Sequence, residues 1–124
     1  MILKKKKIIC FDIDGTICDT VKKNYFKARP KKKVIRIINK LFNEGYYIKL
    51  FTSRFMGRNN ENLVMAKKQG YLITKKQLKS WGLSYHKLIF GKPSYDLFVD
   101  DKNLGHRKNW YLNLKKINYL LDKD

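Results

Sequence analysis

Lys7-Ile8-Ile9-Cys10-Phe11-Asp12-Ile13-Asp14-Gly15-Thr16 is the stretch on which the fold turns. Residues 7 to 13 form a nearly continuous apolar run rich in β-branched side chains, as a strand buried on both faces of a parallel sheet requires. The run stops in two aspartates and a glycine. Outward from it, residues 46 to 52, Tyr-Tyr-Ile-Lys-Leu-Phe-Thr, repeat the pattern after Gly45, which is placed as the stop of a preceding helix. Between the two strands, Val34, Ile35, Ile37, Ile38, Leu41 and Phe42 recur at helical spacing in a segment opened by Pro30. Strand, helix and strand in that order predict a right-handed crossover with the strands parallel.

Further along, residues 59–69 and 74–81 predict two helices, the second opened by Thr74 as N-cap and closed by Gly82. Lys87 to Phe90 and Leu97 to Val99 predict a third and a fourth strand. Trp110, Leu114, Ile117, Leu120 and Leu121 share one face of a last helix over 110–121, expected to cover the sheet. There is no internal repeat and no low-complexity linker. The order of elements implies an α/β fold, a three-layer Rossmann-like arrangement around a parallel sheet, and 124 residues suit one domain spanning 1–124.

The apolar fraction of 44% is ample for a core, and no apolar stretch approaches the length that crosses a bilayer. Lysines 4 to 7 followed by an apolar run loosely resemble an export signal. The run is short and ends in Asp12 without a small-residue cleavage site, so the expected compartment is the cytoplasm. Cys10 and Cys18 lack partners at metal-ligand spacing and read as reduced thiols. A formal net charge of +19 points to polyanions as partners, yet the lysine doublets and triplets are spread along the chain, as on solvated helix faces. Either way, the field draws phosphorylated anions.

Only ten residues are acidic, and four of them form two tight couples, Asp12 with Asp14 and Asp100 with Asp101. Crowded carboxylates repel one another, so a shared cation, most naturally Mg2+, is expected among them. In an open parallel sheet ligands bind beyond the carboxyl ends of the strands. Asp12 and Asp14 close the first strand, Thr52 and Ser53 the second, Lys92 follows the third after Gly91, and Asp100 with Asp101 closes the fourth. Those residue types suit phosphoryl transfer. Asp12 is the candidate nucleophile at phosphorus. Asp14, kept partly protonated by its crowded neighbours, is the candidate acid and base. Gly15 permits the sharp turn, Thr52 can donate to a phosphoryl oxygen, and Lys92 supplies a point charge. Arg54 reads either as a ligand of a substrate oxygen or as a cap on the sheet edge, His86 as structural, and His106 as a loop residue near Asp101.

Phe-Asp-Ile-Asp-Gly-Thr at 11–16, Phe-Thr-Ser-Arg at 51–54, Gly-Lys-Pro at 91–93 and Val-Asp-Asp-Lys at 99–102 together resemble the four successive motifs of the haloacid dehalogenase superfamily of phosphohydrolases. The resemblance covers nearly the whole chain. It implies that Asp12 is the nucleophile and Asp14 the acid/base. It also implies that magnesium is held by Asp12, the backbone carbonyl of Asp14, Asp100 and Asp101, the last directly or through water. An aspartate at 14 favours phosphatases over the dehalogenase branch. With only Ile17 to Arg29 where many members insert a cap domain, the chain is similar to the capless group. Residues 81–93 and 52–56 resemble small phosphatases of capsule or other surface-polysaccharide biosynthesis.

The resulting expectation is a magnesium-dependent phosphomonoesterase acting on a small phosphorylated metabolite such as a sugar phosphate, through an aspartyl-phosphate. Its substrate would be contacted by Gly15, Ser53 and Arg54, by Ile17–Arg29 and Arg54–Asn62, or by a neighbouring subunit in a homo-oligomer. Two alternatives stay open. One keeps the chemistry but takes a nucleotide or polynucleotide end phosphate; the other is a non-catalytic polyanion-binding module with a vestigial site.

Overall fold

The computed structural model describes residues 7–103. The helix expected over 110–121, and His106, lie outside the described residues. The chain divides into two compact units, Met1–Ser94 and Tyr95–Asp124.

In the first unit the apolar runs become three parallel strands, β1 (Ile8–Phe11), β4 (Tyr47–Thr52) and β5 (Lys87–Phe90), ordered β1-β4-β5. β1 runs beside β4 from Ile8↔Tyr47 to Phe11↔Leu50, and β4 beside β5 from Lys49↔Lys87 to Thr52↔Phe90. The protein is thus α/β around a parallel sheet, with helices α1 (Lys32–Asn43) and α2 (Leu63–Ser80) in the connections. No helix among the described residues is long and apolar enough to cross a membrane. Ile38 of α1, Ala66 and Leu78 of α2, Ile48 and Leu50 of β4, and Ile13 and Ile17 after β1 are wholly buried together. Each large aliphatic side chain so buried contributes roughly 1.5–3 kcal/mol.

α1 ends where Gly45 takes φ +98°, its N–H bonding to the Phe42 carbonyl while Tyr46 N–H bonds to that of Leu41. That reversal satisfies the last carbonyls and feeds the chain into β4. His86 is structural: it stacks between Phe42 and Tyr47, and its Nδ1 accepts the Ile48 N–H at 3.0 Å.

Several expectations are corrected. β4 buries Ile48, Leu50 and Thr52 completely but leaves Tyr47, Lys49 and Phe51 half-buried, and Ile8 of β1 is 57% exposed, so the strands are not sealed on both faces. A lysine in the middle of the central strand requires that opening. Pro30 does not open α1; with Arg29 it forms β3, antiparallel to β2 (Cys18–Asp19) in a small ribbon. The two helices expected over 59–69 and 74–81 are one, capped by Asn62, whose side chain accepts the Met65 N–H at 3.1 Å. Gly70 and Thr74 lie in its interior, facing inward. In the second unit, Leu97–Val99 is not a strand; the Tyr95 and Phe98 rings pack on each other at 5.1 Å instead.

Candidate active site

Because the three strands are parallel, Asp12, Thr52 and Lys92 all follow carboxyl ends on one edge of the sheet. The chain after β1 reverses at once: Thr16 and Ile17 N–H both bond to the Ile13 carbonyl, and Gly15 sits at φ +84°, where a side chain would be strained. Gly91 has φ +106°, and there a Cβ would also press on Leu63 Cδ1 at 3.1 Å. The tight exit from β5 brings Lys92 back over the sheet, its N–H bonded to the Thr52 carbonyl.

Lys92 is 6% exposed and its ammonium stands 3.4 Å from Asp12 Oδ1. Thr16 Oγ1 donates to Asp12 Oδ2 at 3.4 Å. Thr52 is fully buried; its hydroxyl oxygen accepts the Arg54 N–H at 3.1 Å, which leaves the hydroxyl proton to be donated elsewhere. Ser53 is half-buried and Gly15 exposed, with the Gly15 carbonyl accepting Lys31 Nζ at 3.4 Å.

Arg54 is the largest fully buried side chain, and it does not reach outward to a substrate oxygen. Nε donates to Asp14 Oδ2 at 2.8 Å and Nη2 to Asp14 Oδ1 at 2.9 Å, a bidentate fork. Nη1 donates to Gln77 Oε1 at 2.6 Å and to Thr74 Oγ1 at 3.3 Å, and Nη2 also approaches Cys18 Sγ at 3.9 Å. All five N–H groups are therefore engaged. The guanidinium also lies 4.9 Å over the Tyr25 ring, and Gln77 Nε2 donates to the Tyr25 carbonyl at 2.7 Å. Asp14 thus faces a guanidinium and a short hydrogen bond from the Thr20 hydroxyl. Burial pushes the Cys18 thiol up, with Asp14 adding to that, while the Thr20 hydrogen bond and Arg54 pull it back.

Sequence reasoning missed Thr20, Thr74, Gln77 and Cys18. The available signal was the i, i+3 spacing of Thr74 and Gln77, two polar residues on one face of an otherwise apolar stripe. Asp100 and Asp101 belong to the second unit, next to each other in a turn where Asp100 accepts the Lys102 N–H at 3.4 Å and Asn103 Nδ2 bonds the Asp100 carbonyl.

A hard cation needs oxygen donors and tolerates one or two carboxylates completed by water and substrate oxygens. Among the described residues no three His, Cys, Asp or Glu gather as a metal-binding group. Asp12 fits the requirement, because Lys92 occupies Oδ1 and, among the described residues, only the long Thr16 bond reaches Oδ2. The carboxylate of Asp14 does not, being committed to Arg54, so its backbone carbonyl is the group left for a metal.

No family model matches the chain, and no curated protein does. Among solved structures, a crystal structure of a target from Vibrio cholerae is similar: 23% identity, 94% of this chain and 97% of that chain covered, TM-score 0.73. At that identity the likeness speaks for the fold alone.

Proposed function

We propose that the chain is a magnesium-dependent phosphomonoesterase of the haloacid dehalogenase type, capless and three-layered, working in the cytoplasm on a small phosphorylated metabolite, such as a sugar phosphate of surface-polysaccharide biosynthesis. The observation that carries this reading is the buried Lys92 ammonium 3.4 Å from the Asp12 carboxylate, with the Thr52 hydroxyl at the end of the strand between them. A nucleophile, a fixed cation and a proton donor at one strand edge are the parts that transfer of a phosphoryl group needs.

In the first half-reaction an Asp12 oxygen attacks phosphorus and the ester P–O bond breaks. The leaving oxygen takes its proton from Asp14. In the second, water attacks the aspartyl-phosphate, gives a proton to Asp14, and releases inorganic phosphate with Asp12 restored. Lys92 and Thr52 hold the phosphoryl oxygens throughout. Among the described residues Asp14 Oδ1 already accepts from Thr20, Arg54 and Cys18, whereas Oδ2 accepts from Arg54 Nε alone, so Oδ2 is the oxygen with room for a further hydrogen bond. Bound magnesium, for which Asp12 and the Asp14 carbonyl would be ligands, would supply charge neutralisation for the phosphoryl dianion.

Turnover of an aryl phosphate is the test. It should require magnesium and disappear in Asp12→Asn, and acid-quenched wild-type protein should retain label from a radioactive phosphoryl donor. Metal-independent turnover, or an active Asp12→Asn, would refute the assignment.

A further inference from the structure

A second surface of the first unit, made by α2 and β5 and containing none of the candidate catalytic residues, collects positive charge and aromatic rings. Residues 64, 67, 68, 71, 72 and 75 recur at i, i+3, i+4, i+7, i+8 and i+11, so they form one stripe along three turns of α2, about 16 Å long. β5 pairs only with β4 among the described residues, and its other side opens toward that stripe. The result is a groove of about 750 Å³.

Lys67, Lys68, Lys75 and Lys87 line it, all exposed, and none of the four ammonium groups meets a carboxylate among the described residues. α2 contains five lysines and no acidic residue in 18 positions, so the i, i+4 pairs that normally neutralise a solvated helix face are absent. Like charges held on one stripe repel, and a polyanion in the groove would relieve that repulsion. Tyr71 and Tyr85 stand among the lysines, both half-buried, with Tyr71 held by a tilted contact to Phe90 at 5.8 Å. Unpaired bases make use of both features, because they stack on aromatic faces while the backbone tracks cations.

The geometry points to the α2/β5 groove as a binding site for single-stranded nucleic acid, with Lys67, Lys68, Lys75 and Lys87 on phosphates and Tyr71 and Tyr85 under bases. The site is independent of the phosphatase reading and stands or falls without it.

Anisotropy of a fluorescent oligothymidylate, titrated with the full chain across a salt series, tests it. Replacing the four groove lysines by glutamine should weaken binding at least tenfold and lower the log–log salt slope by about 3, at 0.7 per phosphate contact. An equal neutralisation on α1, Lys32, Lys33, Arg36 and Lys40 to glutamine, should change both far less. Tyr85→Ala should cost about 5- to 100-fold on the oligothymidylate and nothing on an abasic strand of equal charge, with Tyr85→Phe retaining affinity. Far-UV circular dichroism confirms that each variant is folded. Equal losses from the two lysine quartets would overturn the proposal in favour of diffuse charge. Equal affinity for the abasic strand, duplex DNA or heparin would overturn it in favour of a generic polyanion surface.

Discussion

Arg54 shows how burial and hydrogen bonding narrow what one side chain can do. Its position directly after Thr52 and Ser53 left two readings, a ligand of a substrate oxygen or a cap on the sheet edge, and a guanidinium with all five N–H groups engaged and no exposed surface has nothing left to offer a substrate. What it does is fix the plane of the Asp14 carboxylate, the group that the proposed mechanism uses as acid and base. Arg54→Lys should therefore lower kcat on an aryl phosphate by about 100-fold, within the span of general acid–base contributions, while KM stays nearly constant. A substrate-binding arginine would raise KM instead. Breaking a buried ion pair from one side costs roughly 3–5 kcal/mol, and Asp14 retains 25% exposure, so urea denaturation of Arg54→Ala should show a loss of about 3 kcal/mol, at the lower end. Lysine recovers little of it, because a point charge cannot replace a bidentate fork with further donors to Thr74 and Gln77.

At the scale of elements, the strands were legible because apolar runs ended in recognisable stops: Gly45 before β4, and Gly91 after β5, whose span was read to the residue. The helices were less legible, and α2 shows why. Gly70 and Thr74 look like a break and a new N-cap, yet both are answers to tertiary contacts that no local pattern reveals. A Cβ at Gly70 would lie 2.3 Å from Phe55 Cδ2, and Thr74 Oγ1 accepts from the buried Arg54. Phe55 cannot easily yield: it is 5% exposed, holds φ +65°, and packs against Tyr25 at 5.0 Å and under Arg58 at 4.6 Å. Gly70→Ala gains about 1 kcal/mol of helix propensity but overpacks by roughly 1–3 kcal/mol, so the net effect in denaturant titration should be a loss of about 1 kcal/mol. In a Phe55→Ala background the clash is gone and the same change should stabilise. The β2/β3 ribbon was illegible for a related reason: two-residue strands carry no periodicity, and a proline before a helix reads as its opening. The candidate site was legible as to Asp12, Asp14, Thr52 and Lys92, since strand ends mark it. The shell that orients Asp14 was not, because Thr20, Thr74 and Gln77 come from turns and helix interior, where polar residues are ordinary.

For the molecule as a whole, the excess of 29 basic over 10 acidic residues decides its response to salt. Four described carboxylates have partners within the first unit, two at the candidate site, Asp12 with Lys92 and Asp14 with Arg54, and two at the surface, Asp19 with Lys31 and Glu61 with the Ser94 N–H and hydroxyl. α1 and α2 hold no acidic residue within their spans, so most of their lysines and arginines have no carboxylate one turn away on the same helix. Folding gathers those charges from an expanded chain into a small volume, and their mutual repulsion opposes it. Screening length falls from about 30 Å at 0.01 M ionic strength to about 8 Å at 0.15 M, which removes most of the long-range repulsion while leaving the short buried Arg54–Asp14 and Lys92–Asp12 pairs nearly untouched. Adding salt over that range should therefore raise Tm. With about 1 kcal/mol equivalent to roughly 4 °C in a domain of this size, a gain of 1–2 kcal/mol reads as some 4–8 °C in a thermal scan. Sodium chloride and sodium fluoride matched in ionic strength should agree if screening is the cause. A Tm that falls with salt would mean instead that surface ion pairs stabilise the fold, contrary to the charge distribution seen on both helices.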